Sequence, residues 1–177
     1  MYKFLLRRKI EQMIKLSERK KAYHSLKEIK SVLVLFDTKD FEDTNRFIQQ
    51  LERIGKKTKA FAFKDKKDSN NYSRILYPVV TKKDMKDLKG DSLTQIVNSL
   101  SNEKIDLIVD FTLKENLLLL YLLVSVDSPL KVGFYKHALS IHDIVISFAP
   151  DLVHNVKELG EQVLHYLSVI SSSARSL

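Results

Sequence analysis

Ile105-Asp-Leu-Ile-Val-Asp-Phe-Thr112 is the stretch that decides the fold, because a short, mostly apolar run with β-branched residues ends there in polar side chains. Ser31-Val-Leu-Val-Leu-Phe36 is a second run of this kind, and Asp37-Thr38 follows it. Apolar runs of this length are typical of strands that a parallel sheet buries on both faces. Further strands are predicted at 57–64, 74–80, 130–135 and 143–148.

Segments between these strands have apolar residues at three- and four-residue steps, which predicts helices at 41–54, 92–102, 116–126 and from Pro150 onward. Strands that alternate with helices predict crossover connections and a parallel sheet. We therefore expect an α/β fold with a three-layer, mostly parallel open sheet of the Rossmann-like or flavodoxin-like kind. The longest apolar run, Leu117 to Val126, is short of the roughly 20 residues that span a bilayer. It is predicted to be a buried helix.

The composition excludes several classes of protein. With 177 residues, of which 44% are hydrophobic and 29% charged, the chain has the size and balance of one globular domain. It contains no cysteine, which excludes a disulfide framework, a Cys-ligated zinc or iron–sulfur site and a thiol nucleophile. The N-terminus has no apolar run long enough for a secretory signal. We expect a cytoplasmic protein with no transmembrane segment.

Positive charge is concentrated in residues 1–30, which hold ten Lys or Arg against three Glu, a net +7 of the chain's +8. Helical periodicity from Lys3 to His24 predicts a basic amphipathic N-terminal helix. Its apolar stripe consists of Leu5, Leu6, Ile10, Met13, Ile14 and Leu16, and the cations away from the stripe are Arg7, Arg8, Lys15 and Arg19. We predict that residues 1–30 form this helix and that residues 31–177 form a single α/β domain.

Three roles fit such a helix. Its apolar stripe can pack on the domain and leave the cations in solvent. Alternatively, the cations contact the phosphates of RNA or DNA. In the third role the helix binds an anionic membrane, a protein partner or a second copy of the chain. Lys9 and Lys20 lie inside or beside the stripe and disfavour deep insertion into a membrane, so packing of the stripe against protein, first of all the chain's own domain, is the preferred interpretation.

The ends of two predicted strands supply a candidate ligand site. In open α/β sheets, ligands bind outside the carboxyl ends of the strands, where the strand order reverses. If the two strands are neighbours, Asp37 and Thr38 converge there with Asp110 and Thr112. Neither loop has the glycines of a phosphate cradle, and no nucleotide-binding motif occurs in the chain. The alternative is that these side chains cap helices, with Thr112 and Glu115 forming a capping box.

His137 and His142 lie between the last two predicted strands, and Asp143 follows the second of them. Two histidines at this spacing, beside an aspartate, fit a proton shuttle or a pair of metal ligands. The alternative is an ordinary polar loop. No motif implies a bound metal or a cofactor, and no nucleophile elbow of the serine hydrolases occurs.

The segments Ile105 to Tyr121, Ser128 to Phe134 and Ile141 to Ile146 resemble an uncharacterised bacterial family known only as a domain of unknown function. That resemblance covers nearly the whole chain and implies no activity. A more distant resemblance, over Ile105 to Phe134, is to the N-terminal Rossmann-like half of heptosyltransferase-type (GT-B) glycosyltransferases. The chain lacks the second domain of that class and a Gly-rich turn after its first strand. This resemblance therefore implies the fold and not glycosyl transfer.

Two hypotheses for function follow from the sequence. The first is a non-enzymatic cytoplasmic α/β module that binds a protein partner through its basic helix, at Arg7, Arg8, Lys15 and Arg19. The second is a protein or enzyme that binds a nucleotide- or sugar-related small molecule at the strand ends, with Asp37, Thr38, Asp110, Thr112, His137 and His142 as candidate residues.

Overall fold

A computed structural model describes residues 2–64, 75–81, 92–134, 141–147 and 155–170. Within these ranges the helices are α1 (Tyr2–Lys15), α2 (Phe41–Arg53), α3 (Ser92–Ser101), α4 (Leu117–Ser125) and α5 (Val156–Val169). The strands are β1 (Ser31–Asp37), β2 (Lys57–Lys64), β3 (Val79–Thr81), β4 (Leu107–Asp110), β5 (Leu130–Phe134) and β6 (Ile144–Ile146). A 3₁₀ turn, Thr38–Asp40, joins β1 to α2.

The six strands form one sheet in the order β3-β2-β1-β4-β5-β6, and every neighbouring pair is parallel. The chain moves outward from β1 to β3 and then returns to place β4 on the other side of β1. This is the strand order of the doubly wound Rossmann-like folds. The predicted three-layer, parallel α/β sheet is therefore confirmed, and the strand order reverses between β1 and β4.

Side chains that alternate along the strands fill two cores. Leu33, Leu35 and Ile108 point to the face covered by α1, α3 and α4. The residues between them point to the face of α2 and α5, where the rings of Phe47 and Phe111 meet edge to face at 4.8 Å. Because both faces are covered, the central strands are apolar on both sides, as a parallel sheet requires.

Helix α4 is apolar on every side and is buried on every side. Residues Leu118 to Leu123 expose between 0 and 8% of their surface. The helix packs against β1, and both α1 and α3 pack against it. The predicted buried helix is confirmed, and no helix in the described part of the chain has the length and apolar character to cross a membrane.

The capping box predicted at Thr112 and Glu115 is wrong. Asn116 is the N-cap of α4, and its side-chain oxygen accepts hydrogen bonds from the backbone N–H groups of Leu118 and Leu119. A strong N-cap residue directly before the apolar run therefore sets the start of the helix. The Thr112 hydroxyl does not cap this helix and donates to Asp110 instead.

The N-terminal helix ends at Lys15. The prediction that it continues to His24 is wrong. Beyond it the backbone bonds to other elements: Ala22 N–H donates to Pro129 O at 3.0 Å, and Leu26 N–H donates to Leu167 O at 2.9 Å. These contacts replace helical hydrogen bonds, and the segment carries the chain from the end of α1 to the start of β1. We call residues 16–30 the strap.

Other boundaries differ from the predicted ones by a few residues. The third strand begins only after Pro78, which has no N–H for a ladder. The last helix begins at Val156, where the Asn155 side chain caps Glu158 N–H at 2.8 Å. The helix start predicted at Pro150 lies outside the described residues.

We predict that Leu6→Ala destabilises the fold by about 2–5 kcal/mol, because Leu6 is 1% exposed and fills the contact between α1 and α4. Leu5→Ala is the matched control, since Leu5 is 56% exposed and its truncation changes stability by about 0.5 kcal/mol or less. Chemical denaturation measures both. Equal, small effects would show that α1 is a dispensable appendage.

Candidate functional site

The carboxyl ends of β1 and β4 lie side by side where the strand order reverses. Leu35 of β1 is opposite Asp110 of β4, so Asp37 lies two residues further along at the same edge. Thr38, in the turn after β1, is 3% exposed. The sequence-predicted residues of the two strands therefore occupy neighbouring positions at the edge where doubly wound sheets bind ligands.

Asp110 is the centre of a buried polar cluster. Its Oδ1 accepts hydrogen bonds from the backbone N–H of Thr112 at 3.0 Å and from the Thr112 hydroxyl at 2.6 Å. Its Oδ2 lies 3.1 Å from Nε2 of His142. Thr112, Asp110 and His142 are 2, 3 and 8% exposed, so this carboxylate is held by protein donors and is shielded from solvent.

A glycine makes the contact between His142 and Asp110 feasible. Gly133 of β5 is opposite Asp110 in the sheet, and the His142 ring lies over it. A Cβ at Gly133 would lie 2.4 Å from Nε2 of His142, well inside van der Waals contact. The ring therefore occupies the space that any other side chain at position 133 would fill.

The cluster fixes the orientation of the histidine. A carboxylate accepts hydrogen bonds, so we assign the proton of the neutral ring to Nε2 and its lone pair to Nδ1. An imidazole oriented by a carboxylate can accept or donate a proton, and Asp, Thr and His side chains also bind hydroxyl and amino groups. The geometry therefore suits recognition of a polar ligand and proton exchange with it.

Asp143, directly after His142, is held by the strap. The guanidinium of Arg19 donates to both carboxylate oxygens, at 2.8 Å to Oδ2 and 2.6 Å to Oδ1, and Lys131 N–H donates to Oδ2 at 2.8 Å. Arg19 also donates to the carbonyls of Ser128 and Pro129. Burial alone would raise the pKa of Asp143, but the bonds from Arg19 and Lys131 outweigh it and lower that pKa. We call this arrangement the Arg19 clasp.

Lys131 is a second buried cation beside the clasp. It is 4% exposed, and its Nζ donates to Leu123 O at 2.6 Å, near the C-terminal end of α4. A cation is favourable at the negative end of a helix. Burial, and then the charge of Arg19, lower the pKa of Lys131 to about 8. This lysine therefore joins α4 to β5.

The remaining sequence-predicted residues lie apart from the cluster. Arg7 pairs with Glu11 at 3.5 Å and with Glu115 at 3.7 Å. Arg8 and Lys15 are exposed on α1. Arg19, predicted on the same helix face, lies in the strap and bonds to Asp143. His137 lies outside the described residues.

The sequence reading missed Arg19 as a structural cation, missed Lys131 and Gly133, and noted Asp143 only as the neighbour of His142. The sequence carries a signal for two of these residues, Lys131 and Gly133. In Leu130-Lys-Val-Gly-Phe134 a lysine and a glycine interrupt an apolar strand, which marks a satisfied buried charge and a close approach to the backbone. The partner of Arg19 is far away in the sequence, and no local pattern identifies it.

A pocket of about 330 Å³ lies at the opposite end of the sheet, between the C-terminal ends of α3 and α4. Its lining includes Ser101, Glu103, Ser125 and Asp127. The pocket does not include Asp110 or His142. Among the described residues, no group of three or more His, Asp or Glu side chains is placed to hold a metal ion.

A protein-family model matches nearly the whole chain. The model of a family of unknown function, DUF6913, matches residues 3–170. The chain belongs to this family. The match runs from α1 to the end of α5 and confirms the predicted membership of an uncharacterised family. No curated protein and no solved structure matches the chain, and the relation to heptosyltransferases is not shown.

We predict that Gly133→Ala destabilises the protein by about 1–3 kcal/mol, because the added methyl overpacks the site and displaces His142. A double-mutant cycle with His142→Ala isolates the cause. In the His142→Ala background the methyl has room, so most of the cost should disappear. The same cost in both backgrounds, measured by denaturation, would show that the clash does not involve His142.

Proposed function

We propose that this member of the DUF6913 family is a cytoplasmic protein that binds a small polar molecule at the carboxyl ends of β1 and β4. Asp37, Thr38, Asp110, Thr112 and His142 are the residues proposed to contact it. The observation that carries this proposal is the buried hydrogen bond between Asp110 and His142 at the point of strand reversal.

The stability of the fold does not require such a cluster. Burying polar groups costs free energy, and apolar residues of similar size often give equal or greater stability. Asp110 and His142 nevertheless lie within the core formed by α1, α3 and α4 with the sheet. A polar cluster maintained at the ligand edge of a doubly wound sheet therefore supports a binding role.

Asp106, four residues before Asp110, shows what a purely structural aspartate does in this chain. Its Oδ2 accepts hydrogen bonds from the backbone N–H groups of Lys30 and Ser31, at 2.8 and 3.0 Å. It joins the strap to the start of β4, at the edge of the sheet opposite Asp110. The two carboxylates are both buried, but only Asp110 contacts a histidine.

Asp106 also supplies the matched control for a binding test. A panel of sugars, polyols, amines and nucleotides is titrated into isotopically labelled protein, and the resonances of Thr112 and His142 are followed. We predict that a binder shifts these resonances, that Asp110→Asn weakens it at least tenfold, and that folded Asp106→Asn retains it. The proposal is wrong if no compound binds with a Kd below about 1 mM, or if both variants lose binding equally.

A second candidate function is the binding of an acidic protein partner through the outward face of α1. Phe4 and Leu5 are 69 and 56% exposed there, beside the exposed cations Arg8 and Lys15. Large apolar side chains next to unsatisfied charge are typical of interaction surfaces. Two copies of this basic face would repel each other, so an acidic partner fits better than α1 pairing with α1.

The basic face is best tested by charge reversal, because deletion of α1 would expose the apolar surface of α4. We predict that Arg8→Glu with Lys15→Glu abolishes salt-sensitive binding of cellular proteins to the immobilised chain. Lys27→Glu with Lys57→Glu changes the net charge equally at exposed positions outside α1 and should retain that binding. Binding that nuclease treatment or anionic vesicles remove would instead indicate nucleic acid or membrane, and equal loss in both variants would contradict the proposal.

A further inference from the structure

The start of α2 carries negative charge, which is unfavourable for phosphate, the group that a Rossmann-like sheet usually binds at this place. The N-terminus of a helix attracts phosphate through its free N–H groups and its dipole. Here the segment from β1 into α2 carries four carboxylates, Asp37, Asp40, Glu42 and Asp43, against the amine of Lys39. Arg46 pairs with Asp43 at 3.4 Å, and residues 37–46 still carry a net charge of −2 toward a phosphate group.

Asp40 is the N-cap of α2, and one of its oxygens is without a hydrogen bond. Its Oδ2 is buried and has no hydrogen-bond partner among the described residues, with the nearest cation, Lys39 Nζ, 3.9 Å away. Burial raises the pKa of Asp40, the charge of Lys39 lowers it, and the charge of Asp43 raises it, with a net increase. The site therefore holds an acceptor oxygen that lacks a donor.

Thr44 lies one helical turn after Asp40 on the same side of α2. It is 0% exposed, and its Oγ1 also has no hydrogen-bond partner in the described part of the chain. An unpaired buried polar group costs free energy and is rare in native proteins. Two such atoms, one turn apart at the ligand edge of the sheet, indicate that a group with hydrogen-bond donors completes this end of the helix.

Aromatic rings lie beside this turn. Tyr77 packs edge to face on Phe36 with ring centroids 6.1 Å apart, and against Phe41 at 6.4 Å. The Tyr77 hydroxyl donates to Oδ1 of Asn45 at 3.2 Å, which fixes the ring against α2. Polar acceptors beside an apolar wall suit a small ring that carries hydroxyl or amino groups.

We infer that the ligand of the proposed site is an unphosphorylated molecule that donates hydrogen bonds from hydroxyl or amino groups, and that Asp40 discriminates against its phosphate ester. This inference rests on the proposed function. In a doubly wound sheet the ligand crevice runs between the loops after β1 and β4, and Asp40 lies in the turn that follows β1. Asp110 already accepts bonds from Thr112 and lies beside His142, so the unpaired acceptor for a hydroxyl- or amine-bearing ligand is Oδ2 of Asp40.

The test uses pairs of compounds that differ only in a phosphate: glucose and glucosamine against their 6-phosphates, and ribose against its 5-phosphate. Affinities for the full-length protein are measured by titration calorimetry. We expect an unphosphorylated member to bind at least tenfold more tightly than its ester. Asp40→Asn should reduce that ratio severalfold, whereas Glu42→Gln, an exposed carboxylate of the same turn, should leave it within about twofold.

Thr44→Val provides a readout that does not depend on charge. Valine has a similar volume and removes an unpaired hydroxyl, so we expect unchanged or increased stability and weaker binding of the unphosphorylated compound. Equal or tighter binding of the phosphate ester by the wild type would overturn the inference and leave the proposed function standing. Unchanged affinity in Thr44→Val would also overturn it, and no binding by any compound would overturn both.

Discussion

The burial of α4 is the constraint on which the rest of the structure depends. A helix that is apolar on every side cannot face water, and the sheet covers only one of its sides. Helix α1 covers another side through Leu6 and Ile10, which are almost fully buried. Arg8 and Lys15 then remain on the exposed side of α1, whereas Lys9 lies over the Tyr121 ring of α4 at 5.0 Å from its centroid.

Because α1 covers α4, the chain must then return along the edge of the sheet to reach β1. The strap makes that connection. Its Arg19 clasp holds Asp143, and the next residue back along the chain is His142. The contacts that cover α4 and those that place the histidine beside Asp110 are therefore parts of one continuous set. A change in the packing of α1 or the strap would therefore move Asp143 and, through the peptide bond between them, His142.

Most of the fold could be predicted from the sequence, because it depends on local patterns. The runs at Ser31 and Ile105 identify buried strands without knowledge of their neighbours. Asp110, Thr112 and His142 were all named as candidates, but their contact was not foreseen. It requires β4 beside β5 and Gly133 beneath the ring, which are facts of strand order. The prediction of where α1 ends was wrong for the same reason, because the distant carbonyls of Pro129 and Leu167 determine that end.

The two buried charge contacts differ in what they do for the molecule. The Arg19 clasp satisfies the oxygens of Asp143 and closes the strap onto β5, so its desolvation cost is offset by connectivity. The pair of Asp110 and His142 joins two segments that the sheet already holds, through β4 and β5 on one side and the clasp on the other. Asp110 also accepts two hydrogen bonds from Thr112 after β4, so part of the desolvation cost is offset there. The proposed binding role accounts for the remaining feature, a buried imidazole kept beside this carboxylate.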